Sequence, residues 1–108
     1  QPIYRALACL TRARGFHIDG TRLHSFSGPP EDAPDDCVPW YTFGRSRHRP
    51  RTILFGHWAA LGHRVVPGGI ALDNGAVWGG ALVALRLEDN AVFRQEVEPG
   101  DIYRSVKK

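Results

Sequence analysis

The tetrapeptide Phe55-Gly56-His57-Trp58 is where this sequence comes nearest to chemistry. The apolar run Thr52-Ile53-Leu54-Phe55 predicts a short buried strand, Gly56 ends it, and His57 follows at once on the loop. Glycine lets backbone approach a ligand closely, and imidazole is the commonest transition-metal ligand among side chains. A structural histidine beside a packed Trp58 accounts for the same residues, and on the tetrapeptide alone that plainer reading leads. His17, His24, His48 and His63 have no partners at metal-ligand spacing and read as surface or internally satisfied histidines. Cys9 and Cys37 lack such spacing too. Asp73-Asn74-Gly75 has the composition of a tight turn, and Gly79-Gly80 that of a bend. No phosphate-binding P-loop, dinucleotide fingerprint or serine elbow occurs.

The elements that would position these residues can be read from periodicity. Ile3, Ala6, Leu7, Leu10 and Ala13 recur at helical spacing and predict an amphipathic helix over about residues 3–14, stopped by Gly15. Arg12 and Arg14 then fall in its last turn, where cations complement the helix dipole. Residues 15–26 read as two short extended pieces around a turn at Asp19-Gly20. The acidic, proline-rich stretch Ser27–Asp36 reads as a surface loop without regular structure. Ile70-Ala71-Leu72 is a second strand candidate. Ala81–Leu87 and Ala91–Val97, joined by Glu88-Asp89-Asn90, predict a hairpin. Apolar residues on both sides of its first arm predict burial of both faces, as in a layered sandwich.

Composition narrows the partners. Twelve of the fourteen basic residues are arginine and the net charge is +3. Arginine's planar fork suits phosphate, so an anionic partner is consistent with this bias, as is a codon preference. The run Arg45-Ser46-Arg47-His48-Arg49-Pro50-Arg51 has no aromatic residue inside it for stacking and reads as a solvated loop rather than a nucleic-acid arm. There is no apolar run long enough to span a bilayer and no secretory pattern at the start. Two cysteines make no disulfide framework, so a reduced, cytoplasmic setting is expected. The absence of methionine from a chain starting at Gln1 leads to the expectation of a fragment, an excised domain or a processed chain.

Three segments read together are more specific than any one. Phe55-Gly56-His57-Trp58-Ala59-Ala60-Leu61, Ala71-Leu72-Asp73-Asn74-Gly75-Ala76-Val77-Trp78-Gly79-Gly80 and Leu82-Val83-Ala84-Leu85-Arg86-Leu87-Glu88-Asp89 resemble the C-terminal signature of symmetrical bis(5'-nucleosyl)-tetraphosphatases. Upstream, Leu10-Thr11-Arg12-Ala13-Arg14 resembles that family's Thr-Arg-x-Arg segment, and Pro39-Trp40-Tyr41 its Pro-Trp-aromatic element. The resemblance implies an α+β metallophosphoesterase fold, a four-layer αββα sandwich. Residues 1–108 would supply its C-terminal portion, one helix followed mainly by strands and a terminal hairpin. It further implies two divalent metal ions, manganese or cobalt, and symmetrical hydrolysis of diadenosine tetraphosphate to two ADP. His57 falls on the family's last metal-ligand histidine, and Arg12 and Arg14 are expected to hold substrate phosphates.

Two departures qualify this. The family usually has Asp-Thr-Gly-Cys where this chain has Asp73-Asn74-Gly75-Ala76, so Asn74 and Ala76 carry no functional role over. The aspartate-bearing metal motifs of the Gly-Asp-x-His-Gly, Gly-Asp-x-x-Asp-Arg-Gly and Gly-Asn-His types do not occur. The chain alone is therefore expected to be inactive, with at most weak binding of one metal. Its expected partners are a dinucleoside polyphosphate and the N-terminal part of the same enzyme, with no membrane and no specific nucleic acid. A non-catalytic basic module for nucleotides or nucleic acid, or an interaction domain that lost the chemistry, are the alternative classes.

Overall fold

Alternation of apolar and polar residues at helical spacing produces α1, Pro2–Arg12, the first element of the computed structural model, which describes residues 2–44 and 51–103. The helix ends before Arg14, two residues earlier than its periodicity predicts. The Arg14 carbonyl leaves the helical ladder to accept the Trp40 N–H at 2.8 Å. Gly15 then opens a strand, β1 (Gly15–His17), which pairs antiparallel with β2 (Cys37–Pro39). A Cβ on Gly15 would lie 2.6 Å from the Cys37 Sγ, so glycine is required there by packing as well as by helix termination. Only Arg12 keeps the dipole-capping position; Arg14 lies in the connection.

The predicted turn at Asp19-Gly20 is present, and Leu23 returns to bridge Phe16. The acidic stretch holds one 3-10 turn, Pro30–Asp32, and Arg64 pairs with Glu31 across to it. After a short helix α2 (Tyr41–Gly44), residues 45–50, most of the arginine-rich run and His48 with it, lie outside the described residues.

A three-stranded sheet follows, ordered β3 (Ile53–Phe55), β5 (Gly69–Ala71), β4 (Arg64–Val66). β3 runs parallel to β5, with Phe55 opposite Ala71, and β4 is antiparallel to it. β4 was not predicted. Val65-Val66 is too short to show a period, and only the following Pro67-Gly68, with Gly68 at φ +77°, marks the turn. The expected burial of β3 is not observed: it is an edge strand, with Ile53 and Leu54 each 40% exposed.

The core is small. Trp58, Leu61, Val66 and Ala71 form it, with Trp40, Tyr41 and Phe55 packed at its margin. The hairpin forms as β6 (Ala81–Arg86) and β7 (Ala91–Glu96), closed by the Arg86–Asp89 ion pair and Asn90 at φ +60°. Its predicted double burial does not hold. Ala81 is buried and Val83 and Leu85 are half-buried, whereas Leu82 is 61% exposed. The hairpin is a separate two-stranded sheet, and among the described residues no element covers its second face. Helix α1 likewise buries none of its residues. The accessible surface is 8175 Å² for 12.0 kDa, against about 6,000 Å² expected of a compact chain this size.

Trp58 is 2% exposed and donates its indole N–H to the Gly28 carbonyl at 3.0 Å. Trp58→Ala is expected to cost about 3–5 kcal/mol in denaturant unfolding. Leu82→Ser on the open hairpin face is expected to stay within about 0.5 kcal/mol in the same assay.

Candidate functional site

Because β3 and β5 run parallel, their C-terminal ends lie side by side, joined beyond the strands by the Leu72 N–H donating to the Phe55 carbonyl at 2.9 Å. Gly56-His57 leaves one end and Asp73-Asn74 the other. Chain segments leaving adjacent parallel strands at this end commonly form ligand sites. The two segments lie close together: a Cβ on Gly56 would stand 4.0 Å from that of Asp73, at ordinary contact distance. The two loops are also tied together, since the Asn74 Oδ1 accepts the His63 N–H at 3.2 Å. That gives Asn74, one of the departures from the family pattern, a structural task.

His57 itself sits at φ +72°. A non-glycine residue in this region is uncommon and strained, and such strain concentrates at functional sites. The residue is exposed, yet partial desolvation of its ring is the largest cause lowering its pKa below the usual imidazole range. The positive charges of Arg14 and then Arg12 add to that, while Asp73 acts in the opposite sense. The three site residues singled out in the sequence, Arg12, Arg14 and His57, are thus within electrostatic reach of one another although about 45 residues of chain separate them. Together they make a cationic surface with one neutral imidazole, able to attract an anion and to offer a nitrogen lone pair. Asp73 is the neighbour that reading the sequence missed as part of this surface. Its Oδ1 accepts the Gly75 N–H at 2.9 Å, as the turn reading required, and its charge also reaches His57.

The residues present do not complete a two-metal site. Among the described residues, the group of three potential ligands whose atoms lie within 4.8 Å of one another is His17, His24 and Asp36, not a group around His57. That cluster is better explained by hydrogen bonding than by a metal. The His24 Nδ1 accepts the Phe26 N–H at 3.0 Å, which puts the ring proton on Nε2, facing Asp36 Oδ1 at 3.2 Å. A neutral histidine ligating through Nε2 would need its proton on Nδ1 instead. His24 is therefore satisfied internally, as its sequence context indicated.

No family model matches the chain. Curated relatives do. A 44% identical stretch of 85 residues, 79% of this chain and 31% of the relative, aligns with the symmetrical bis(5'-nucleosyl)-tetraphosphatase of Aromatoleum aromaticum. The protein of that name from Azotobacter vinelandii is 49% identical over 86 residues, 78% of this chain and 31% of its own length. The one from Chromobacterium violaceum is 39% identical over 97 residues, 90% of this chain and 34% of its own. The chain thus spans about a third of the length of these relatives, in their C-terminal part.

The lowered His57 pKa has a pH consequence. As pH falls below about 6.5 the unfolded chain takes up this proton before the folded chain does, so acidification there costs the folded state stability. Arg14→Gln is expected to raise the His57 pKa part of the way back toward the ordinary value, the desolvation remaining. A ring-proton NMR titration measures this, and an unmoved midpoint would show that Arg14 does not act on the imidazole.

Proposed function

The chain belongs to the symmetrical bis(5'-nucleosyl)-tetraphosphatase family, and we propose that it forms the C-terminal portion of a metal-dependent hydrolase cleaving diadenosine tetraphosphate to two ADP. The observation that carries this reading is His57, held at positive φ at the paired ends of β3 and β5 and lying in the field of Arg12 and Arg14. In this reading His57 contributes one nitrogen ligand to a divalent-metal centre, manganese or cobalt, whose carboxylate ligands come from outside these 108 residues. A depressed pKa serves that role, because only an unprotonated imidazole nitrogen can bind a metal. Arg12 and Arg14 hold the polyphosphate, whose negative charges their guanidinium groups meet as charge-assisted hydrogen-bond donors.

The open faces of α1 and of the β6–β7 hairpin support the rest of the reading. Ile3, Leu7 and Leu10 are 69%, 55% and 82% exposed. An apolar helix face left in water is what a portion of a larger layered αββα body presents when taken by itself.

Three results are expected. The 108-residue chain, incubated with manganese and diadenosine tetraphosphate, releases no ADP; metal-dependent turnover co-purifying with it would overturn this account of the site. In the complete enzyme, His57→Ala lowers bound metal and activity together, while full metal content with unchanged turnover would leave the histidine a structural role. In the same enzyme Arg12→Ala and Arg14→Ala each reduce kcat/KM by about ten- to a hundredfold, the equivalent of a charged hydrogen bond of about 1.5–3 kcal/mol, with little change in melting.

A further inference from the structure

We propose that Trp78, braced by Tyr103, is a stacking platform for one nucleobase of the dinucleotide. The inference rests on the functional reading above and adds what the end of that substrate touches.

Trp40 and Trp58 pack into the core or at its margin, whereas Trp78 is 62% exposed. It closes a 3-10 turn, Ala76–Trp78, flanked by Gly75 at φ +70° and Gly79 at φ +107°. This turn lies against the loop that carries His57. A Cβ on Gly75 would meet the Trp78 Cδ1 at 3.6 Å and the Ala59 Cβ at 3.8 Å, and the Ala59 N–H donates to the His57 carbonyl at 3.2 Å. The indole is therefore carried by a turn packed against the His57 loop, and in the functional reading above a nucleoside attached to the polyphosphate would emerge on that side.

The chain also holds this indole in place. The turn Pro99–Asp101 brings the tail back, so that the Tyr103 N–H donates to the Val77 carbonyl at 2.5 Å. Ile102 fills the space above Gly79, its Cδ1 3.7 Å from where a Cβ would stand. The Tyr103 ring then meets Trp78 edge to face, centroids 5.0 Å apart and planes at 84°. An edge-to-face contact orients a ring without covering all of it, and Trp78 remains largely exposed despite it. Every nucleobase offers a flat π-face, so one oriented indole serves any of them and demands no particular hydrogen-bond pattern.

In the complete enzyme, Trp78→Ala is expected to raise KM for diadenosine tetraphosphate about tenfold or more, with kcat within about threefold of the original. Trp78→Phe should restore KM, and neither variant should lower the melting temperature. A second measurement reads stacking without catalysis. In the 108-residue chain, ADP should shift the indole N–H resonance of Trp78 while inorganic tripolyphosphate leaves it in place, and the Trp58 signal, held by Gly28, should stay fixed with both. A melting loss at unchanged KM would assign the indole to packing against another segment and overturn the proposal. An indole signal that ADP does not move would overturn it as well. Lack of dinucleotide hydrolysis by the unmutated complete enzyme would count against the functional reading instead, and the NMR titration would still decide the stacking.

Discussion

Trp58 joins the core to a distant loop through a single side chain. Its ring packs in a core with Leu61, Val66 and Ala71, and its N–H reaches across to the Gly28 carbonyl in the acidic loop. Burial of an aromatic of this size is the largest apolar contribution available to so small a core. The residue immediately before it is His57. The strain at His57, which alone would relax to an ordinary conformation, persists because its neighbour is fixed on one side and β3 is hydrogen-bonded to β5 on the other. Core packing and site geometry are thus the same interaction seen from two residues.

Electrostatics at the site follow from that geometry. Partial desolvation of the imidazole disfavours its protonation most, and two nearby guanidinium groups add to this. The result is an imidazole held neutral near pH 7 beside two permanently charged guanidinium groups. Anion binding and metal ligation make opposite demands on a histidine's charge. Arginine cannot lose its charge and a neutral histidine keeps a lone pair, so the two residue types can serve these demands separately. Asp73, held in its turn by the Gly75 N–H, moderates the field without cancelling it.

The exposed faces complete the physical picture. A helix whose whole apolar stripe is in water, and a hairpin covered on one side only, contribute little hydrophobic stabilisation here, since that depends on area removed from water. Both faces are nonetheless patterned for burial. The chain spans about a third of the length of its curated relatives.

Local signals settled much of this protein. The helix, the turn at Asp19-Gly20, the strands at Ile53–Phe55 and near Ile70 and the terminal hairpin were legible from periodicity and turn residues, and the family from the resemblance of several segments to its signature. Those signals act over a few residues, so they survive without knowledge of the fold. Tertiary structure decided what depends on distant partners. The early end of α1 arises because Arg14 bonds to Trp40, and β4 exists because β5 is there to pair with it. The open second face of the hairpin reflects which neighbours are present, and no alternation in the strand encodes that. His24 found Asp36 twelve residues away, a spacing with no local meaning, and the charges of Arg14 and Arg12 act on His57 from a distant stretch of chain. Apolar patterning specifies that a face is to be buried; only the folded chain specifies against what.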